Sequence, residues 1–237
     1  MVESLGFSVA YRDAVWYGPF MIKPDLKPLL DLLNGDFQLI VPSYQRPYAW
    51  KSEEVSELLE DLQGYVGKSQ GLYLGSIILD VSREDDKKVE IVDGQQRLTT
   101  LFLLLIACRD HARSISAMQQ AEKTQSRITF TGAILNETIG MKLVASDSIR
   151  NIFECMASSD WDGKFPEHGH KLQVRKLKPL YSSFRKHLSR MDASQLAQFQ
   201  SAILAIRVMR IDIDAKEEAF SIFERTNARG LDLEFRT

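Results

Sequence analysis

The segment Glu90–Cys108, EIVDGQQRLTTLFLLLIAC, decides how the rest of the chain is read. A short β-prone run, Lys88–Val92, leads in, and an almost wholly apolar run, Leu98–Cys108, leads out, so Asp93-Gly94-Gln95-Gln96-Arg97 is the junction of a strand with a helix. Asp93 suits the N-cap, where its carboxylate accepts N–H groups of the first turn. Gln96 stands three residues later, where a capping box wants a Glu or Gln. Gly94 allows a sharp turn or the close approach of a ligand. A capped helix start explains these residues but not Gln95 or Arg97. Arg97 is a cation in a first helical turn, where the helix dipole disfavours it, and a bound anion would reverse that penalty. Two readings stand: a helix cap, or a polar site for an anion.

Upstream, Phe37–Val41 reads as a strand that stops at Pro42. The loop after it holds Tyr44, Gln45, Arg46, Tyr48 and Trp50. It is either an aromatic-rich turn punctuated by Pro42 and Pro47, or a place where an Arg fork holds a phosphate while a ring stacks on a base. Ser52 is the expected cap of a helix with Glu53 and Glu54 in its first turn and Val55, Leu58, Leu59 and Leu62 as its buried stripe. Gly67-Lys68-Ser69 resembles the end of a Walker loop, but Leu62 stands where that motif needs Gly, and a helix precedes it instead of a strand. Leu72–Val81 is a strand, and Arg83–Lys87 is a charged hairpin turn back to Lys88. Nearer the start, Pro24 is expected to open a short helix bearing Leu26, Leu29, Leu30 and Leu33, closed by Asn34-Gly35 as a C-cap pair. Residues 1–22 read as an aromatic arm.

Downstream, Arg109–Ser126 is expected to extend the apolar helix, Ile128–Gly140 to be a loop or short hairpin, and Asp147–Ala157 a short helix. His168 in the Ser158–Gly169 loop and His170 just after it lack partners that would complete a metal site, and the metal stays unknown. Lys171–Met191 is an amphipathic helix with Leu177, Tyr181, Phe184, Leu188 and Met191 inward. It carries Lys171, Arg175, Lys176, Lys178, Arg185, Lys186 and Arg190 with no acid among them. That is either a solvated face or a DNA-contacting one, through Lys171, Arg175, Lys178 and Arg185. A helix follows over Ala193–Ala205, a strand over Ile206–Ile213 and a helix over Ala215–Thr226. Asn227-Ala228-Arg229-Gly230 is a plain helix stop, or Asn227 and Arg229 reach back to the Asp93 site.

A chain of 237 residues, 44% hydrophobic and 26% charged, is ordinary for a soluble globular protein with a sizeable core. The net charge of −2 gives no global pull toward nucleic acid or anionic membrane, so DNA contact needs a local patch. Two isolated cysteines, Cys108 and Cys155, fit a reducing, cytoplasmic setting. There is no signal-peptide pattern, and the apolar run Leu101–Cys108 is far short of a membrane span.

Four motifs, in order, resemble one family. They are Val41-Pro42-Ser43-Tyr44-Gln45-Arg46-Pro47-Tyr48-Ala49-Trp50, then Tyr73-Leu74-Gly75-Ser76-Ile77, then the Asp93–Arg97 junction with Leu98-Thr99-Thr100-Leu101, and last Phe223-Glu224-Arg225-Thr226-Asn227-Ala228-Arg229-Gly230. Together they resemble the N-terminal domain of GmrSD-type, modification-dependent restriction endonucleases, of the ParB/sulfiredoxin-like superfamily. The resemblance implies an α+β fold: a small mixed sheet with a large helical insertion. It divides the chain into an arm and short helix (1–36), a motif-bearing core (37–108), the insertion (109–205) and a closing strand and helix (206–237), with a nuclease domain expected beyond. It also implies a nucleotide site, GTP favoured, and NTP hydrolysis coupled to sensing modified double-stranded DNA in anti-phage restriction. Arg97 and Arg46 would bind phosphates, and Asp93 would orient a water or hold Mg2+. Gln95 and Gln96 would position water or phosphate, while Tyr44, Tyr48 or Trp50 would stack on the base. Gln45, Gly94, Thr99, Asn227 and Arg229 would complete the pocket. The alternative is a module that recognises modified DNA or a nucleotide without turnover. A homo-oligomer is compatible with either.

Overall fold

The computed structural model describes residues 15–17, 20–22, 24–131 and 138–214. The expected helix over Ala215–Thr226 and the residues Asn227 and Arg229 lie outside them, as does most of the N-terminal arm, apart from a strand pair, β1 (Val15–Tyr17) with β2 (Phe20–Ile22). Then follow β3 (Pro24–Pro28), α1 (Leu29–Asn34), β4 (Gln38–Ile40), α2 (Ser52–Tyr65), β5 (Tyr73–Asp80), β6 (Lys88–Asp93) and α3 (Gln95–Ser114). The second half holds α4 (Met118–Ile128), a hairpin of β7 (Thr129–Thr131) and β8 (Thr138–Met141), β9 (Leu143–Val144), α5 (Arg150–Ala157), α6 (Lys171–Leu188), α7 (Ala193–Leu204) and β10 (Arg207–Ile213).

The fold is α+β around a mixed six-stranded sheet in the order β3-β10-β5-β6-β4-β9. β10 runs parallel to β5 and antiparallel to β3, β5 and β6 form the expected antiparallel hairpin, and β4 lies parallel to both β6 and β9. The four strands legible in the sequence are the four inner ones. Both edges differ from expectation. Pro24 does not open a helix: Pro24–Pro28 is an edge strand, where prolines are tolerated because one row of N–H groups is unused. The helix starts at Leu29, with Leu29, Leu32 and Leu33 buried, while Leu26 stays 38% exposed. Gly35 does not close it as a left-handed cap, since its φ is −57°. A side chain there would collide with the Phe37 ring, which is why a glycine stands at the turn.

Alternation along the strands divides the sheet into two faces. Leu39, Ile77, Leu79, Val89, Ile91 and Val208 join the helices in one continuous core, while Ile78, Val92 and Ile213 form a small cluster of their own. α3 is the hub, packing against α4, α5, α6 and α7. It is buried almost all round, from Gln95 to Ala112, as expected of a helix without a polar face. The expected single helix through Ser126 is broken into α3 and α4 at Ile115–Ala117, where Ser116 takes a left-handed φ of 60°. Leu180 joins the buried stripe of α6, and Met191 falls beyond the end of that helix. No helix among the described residues is long and apolar enough to cross a membrane.

Candidate functional site

The junction is built by a bulge and a glycine. Ile78 faces Asp93 while Leu79 faces Ile91, so Val92 is the extra residue that bends β6 toward the helix. Gly94, with φ of 93°, then occupies the N-cap, and Asp93 is the last residue of the strand. The expectation that Asp93 caps α3 is therefore corrected. Its Oδ2 instead accepts from Arg97 Nη2 at 3.2 Å, and Arg97 Nη1 donates to the Leu74 carbonyl at 2.9 Å. Gly75, also left-handed at φ 92°, makes room for this reach, since a Cβ there would collide with Arg97 Nη1. The cation that the helix dipole disfavours is thus balanced within the fold, by a carboxylate one turn back and a strand carbonyl. The pair stays partly open, with Arg97 25% and Asp93 30% exposed, and an ion pair so placed contributes about 0–1 kcal/mol.

The three glutamines are buried at 6–8% exposure, and each is spent on the loop. Gln45 Nε2 donates to the carbonyls of Val92 (2.7 Å) and Ile91 (3.3 Å). Gln95 Nε2 donates to Gln45 Oε1 (2.9 Å) and the Arg46 carbonyl (3.1 Å). Gln96 Oε1 accepts the Ala49 N–H at 2.8 Å, and its Nε2 donates to the Pro47 carbonyl at 3.3 Å. Gln96 therefore does not reach back to an N-cap N–H, which corrects the capping box. Tyr48 adds a further tie. It is 4% exposed, its hydroxyl lies 2.8 Å from Thr100 Oγ1, and its phenol pKa is pushed up to about 12, chiefly by burial. Its ring belongs to the core and is not free to stack on a base. Trp50 is half-buried against the same core, and Thr99 is buried.

Of the candidate binding residues on the pinned loop, Tyr44, 46% exposed, and Arg46 face solvent. Burial of part of the Tyr44 ring, followed by the nearby carboxylates of Glu90 and Asp80, raises its pKa. Arg46 takes part in no ion pair among the described residues. Its carbonyl is held by Gln95, so its side chain starts from a fixed point at the mouth of α3. The fold thus brings Tyr44, Gln45, Arg46, Tyr48, Gly94, Gln95, Gln96 and Arg97 into one region. Sequence reasoning passed over Thr100 and the role of Gly75; a glycine inside a strand pattern was the signal for the latter.

The basic helix forms as expected, with Lys171, Arg175 and Lys178 exposed. Arg185 is only half-exposed, and its Nη1 donates to the Ala107 carbonyl at 3.5 Å, so it is drawn toward α3. His170 takes a left-handed φ of 44° with its Nδ1 3.2 Å from Asn151 Nδ2. No group of three or more His, Cys, Asp or Glu that could hold a metal is gathered among the described residues.

The fold and site define an α+β module with a polar, partly open strand-to-helix junction at its centre. A family model for the GmrSD restriction endonuclease N-terminal domain matches residues 29–236, and the chain belongs to that family. It is thus a module of the restriction endonuclease type. No curated protein matches the chain.

Proposed function

We propose that this domain binds a nucleotide, GTP favoured, and hydrolyses it as the sensor of an anti-phage restriction protein acting on modified DNA. The observation that carries the reading is the open edge of an otherwise closed junction. Arg97 and Asp93 are partly exposed at the start of α3, beside a loop that presents Arg46 and Tyr44 from an anchored backbone. Arg46 would take a phosphate through its fork, and the guanidinium N–H groups of Arg97 not used by Leu74 and Asp93 would add to it. Tyr44 would lie against the base. Asp93 spends one carboxylate oxygen on Arg97, which leaves the other to orient a water or to hold Mg2+. Asp93 would be the residue that holds Mg2+, whose charge would offset that of the phosphates. The buried glutamines keep the loop and α3 in register, and are positioning residues here.

A second reading is favoured by that same use of the glutamines. The side-chain N–H groups of Gln45, Gln95 and Gln96 all go to the scaffold, which suits a module that recognises modified DNA or a nucleotide without turnover. Hydrolysis of radiolabelled GTP, with and without modified plasmid, separates the two. Turnover that is stimulated by DNA and lost in Asp93→Asn supports the enzyme; saturable binding with no turnover supports the module. DNA contact through Lys171, Arg175 and Lys178 predicts steep weakening with salt, and a shallower salt slope after charge reversal at two of them.

A further inference from the structure

α2 and α6 lie side by side and carry opposite charge. α2 holds Glu53, Glu54, Glu57, Glu60 and Asp61 with no cation, while Lys171–Met191, α6 and the three residues after it, holds seven Lys and Arg with no acid. Between these two helices and α7 lies a groove of about 1080 Å³ lined by Leu59, Val66, Met191 and Phe199, with Glu60 on the α2 side and Lys186 and Arg190 on the α6 side. Opposite charges on two packed helices could pair across the gap. They do not: among the described residues Glu57, Glu60, Lys186 and Arg190 take part in no ion pair, and all four are exposed.

We propose that this groove is the docking surface for a second copy of the same chain, related by a two-fold axis. An acidic row beside a basic row is self-complementary under such an axis: the acids of one protomer meet the bases of its partner, and the reverse. The acids of α2 are the reason to choose a protein carrying both signs over DNA, since this row beside the groove would repel a phosphate backbone laid along it. The surface is also distinct from the DNA-facing row suggested above, because Lys171, Arg175 and Lys178 do not line it. The inference stands apart from nucleotide binding, and either can fail alone.

The test is sedimentation velocity of the 237-residue chain, at about 50 mM and about 500 mM NaCl, because surface charge pairing is screened as salt rises. The expected result is a dimer at low salt that dissociates at high salt. Lys186→Glu with Arg190→Glu should weaken the dimer by at least about tenfold, as should Glu57→Lys with Glu60→Lys. Mixing the two doubly substituted proteins should give a heterodimer in which both halves of the interface again pair an acidic row with a basic one, and combining all four changes in one chain should restore the homodimer. Circular dichroism and melting curves confirm that each variant folds. A wild-type monomer at low salt and about 100 μM protein would overturn the proposal. So would a dimer indifferent to both double reversals, or a well-folded four-fold variant that stays monomeric. Loss of DNA binding in Lys186→Glu/Arg190→Glu from a wild-type monomer would assign the basic wall to DNA instead.

Discussion

An arginine–aspartate pair stands at each end of helix α3, and the two are opposites. At its start, Arg97 and Asp93 are 25% and 30% exposed and share one 3.2 Å contact. Near its end, Arg109 and Asp110 are 0% and 9% exposed. Arg109 donates to the carbonyls of Met156, Ala157 and Ser158 at the end of α5, to Gln125 and to Asp110, while Tyr181 donates its hydroxyl to the other Asp110 oxygen at 2.7 Å. Burial drives the Arg109 pKa down, against which Asp110 holds it up, and Tyr181 is raised by burial and by the Asp110 charge. The same two residue types therefore do different work. The sealed pair fastens α3 to α5 and α6 and has no donor to spare for a ligand. The open pair settles the start of α3 and keeps both solvent access and unused hydrogen-bonding capacity.

The largest expected effect follows from breaking the sealed pair. Arg109→Ala leaves Asp110 buried and the α5 carbonyls without their donor, and should cost about 3–5 kcal/mol. Urea unfolding measures it; a loss below about 1 kcal/mol would mean that the network carries little of the fold.

Lys142 sharpens the comparison as a second buried cation, but one with no carboxylate in contact. It is 1% exposed, with Nζ on the Gly35 and Phe37 carbonyls and 4.3 Å from the Phe37 ring centre. Burial lowers its pKa to about 8, with Arg210 adding to the shift and Asp36 opposing it. Between that value and the ordinary lysine range the unfolded chain binds the extra proton, so stability should rise with pH across this window. Lys142→Met should remove the rise. Identical pH profiles for the two proteins above pH 8 would refute this.

A smaller effect is expected at the loop anchor. Gln96→Ala frees the Ala49 N–H and the Pro47 carbonyl, at a cost of about 1–2 kcal/mol. Amide exchange should quicken along residues 45–50 and not in α6. Exchange that quickens uniformly would show that the loop is not held locally.

The inner strands were legible because their apolar residues recur in short, well-bounded runs, and α2, α6 and α7 because their buried residues repeat at helical spacing. The edge strands were not. Pro24-Asp25-Leu26-Lys27-Pro28 has the composition of a helix start, and only its pairing with Arg207–Ile211 makes it a strand. Leu143–Val144 is too short to leave a pattern. The site was legible as a location but not as a wiring diagram. Gln95 and Gln96 bond to a loop 47 to 50 residues away, and no local rule points from a glutamine to a distant carbonyl. The capping reading of Asp93 and Gln96 used the right residue types, but the bulge at Val92 and the left-handed Gly94 gave the cap to the glycine.

The central claim is that the open end of α3 is a ligand site and the sealed end is scaffold. Calorimetric titration of GTP with Mg2+ into the wild-type chain, Arg46→Ala and Arg97→Ala tests it most directly. Each substitution should weaken binding by roughly ten- to a hundredfold, the loss of a charge-assisted hydrogen bond, while stability changes by less than about 1 kcal/mol. No binding to the wild-type chain, or wild-type affinity in both folded variants, would contradict the account.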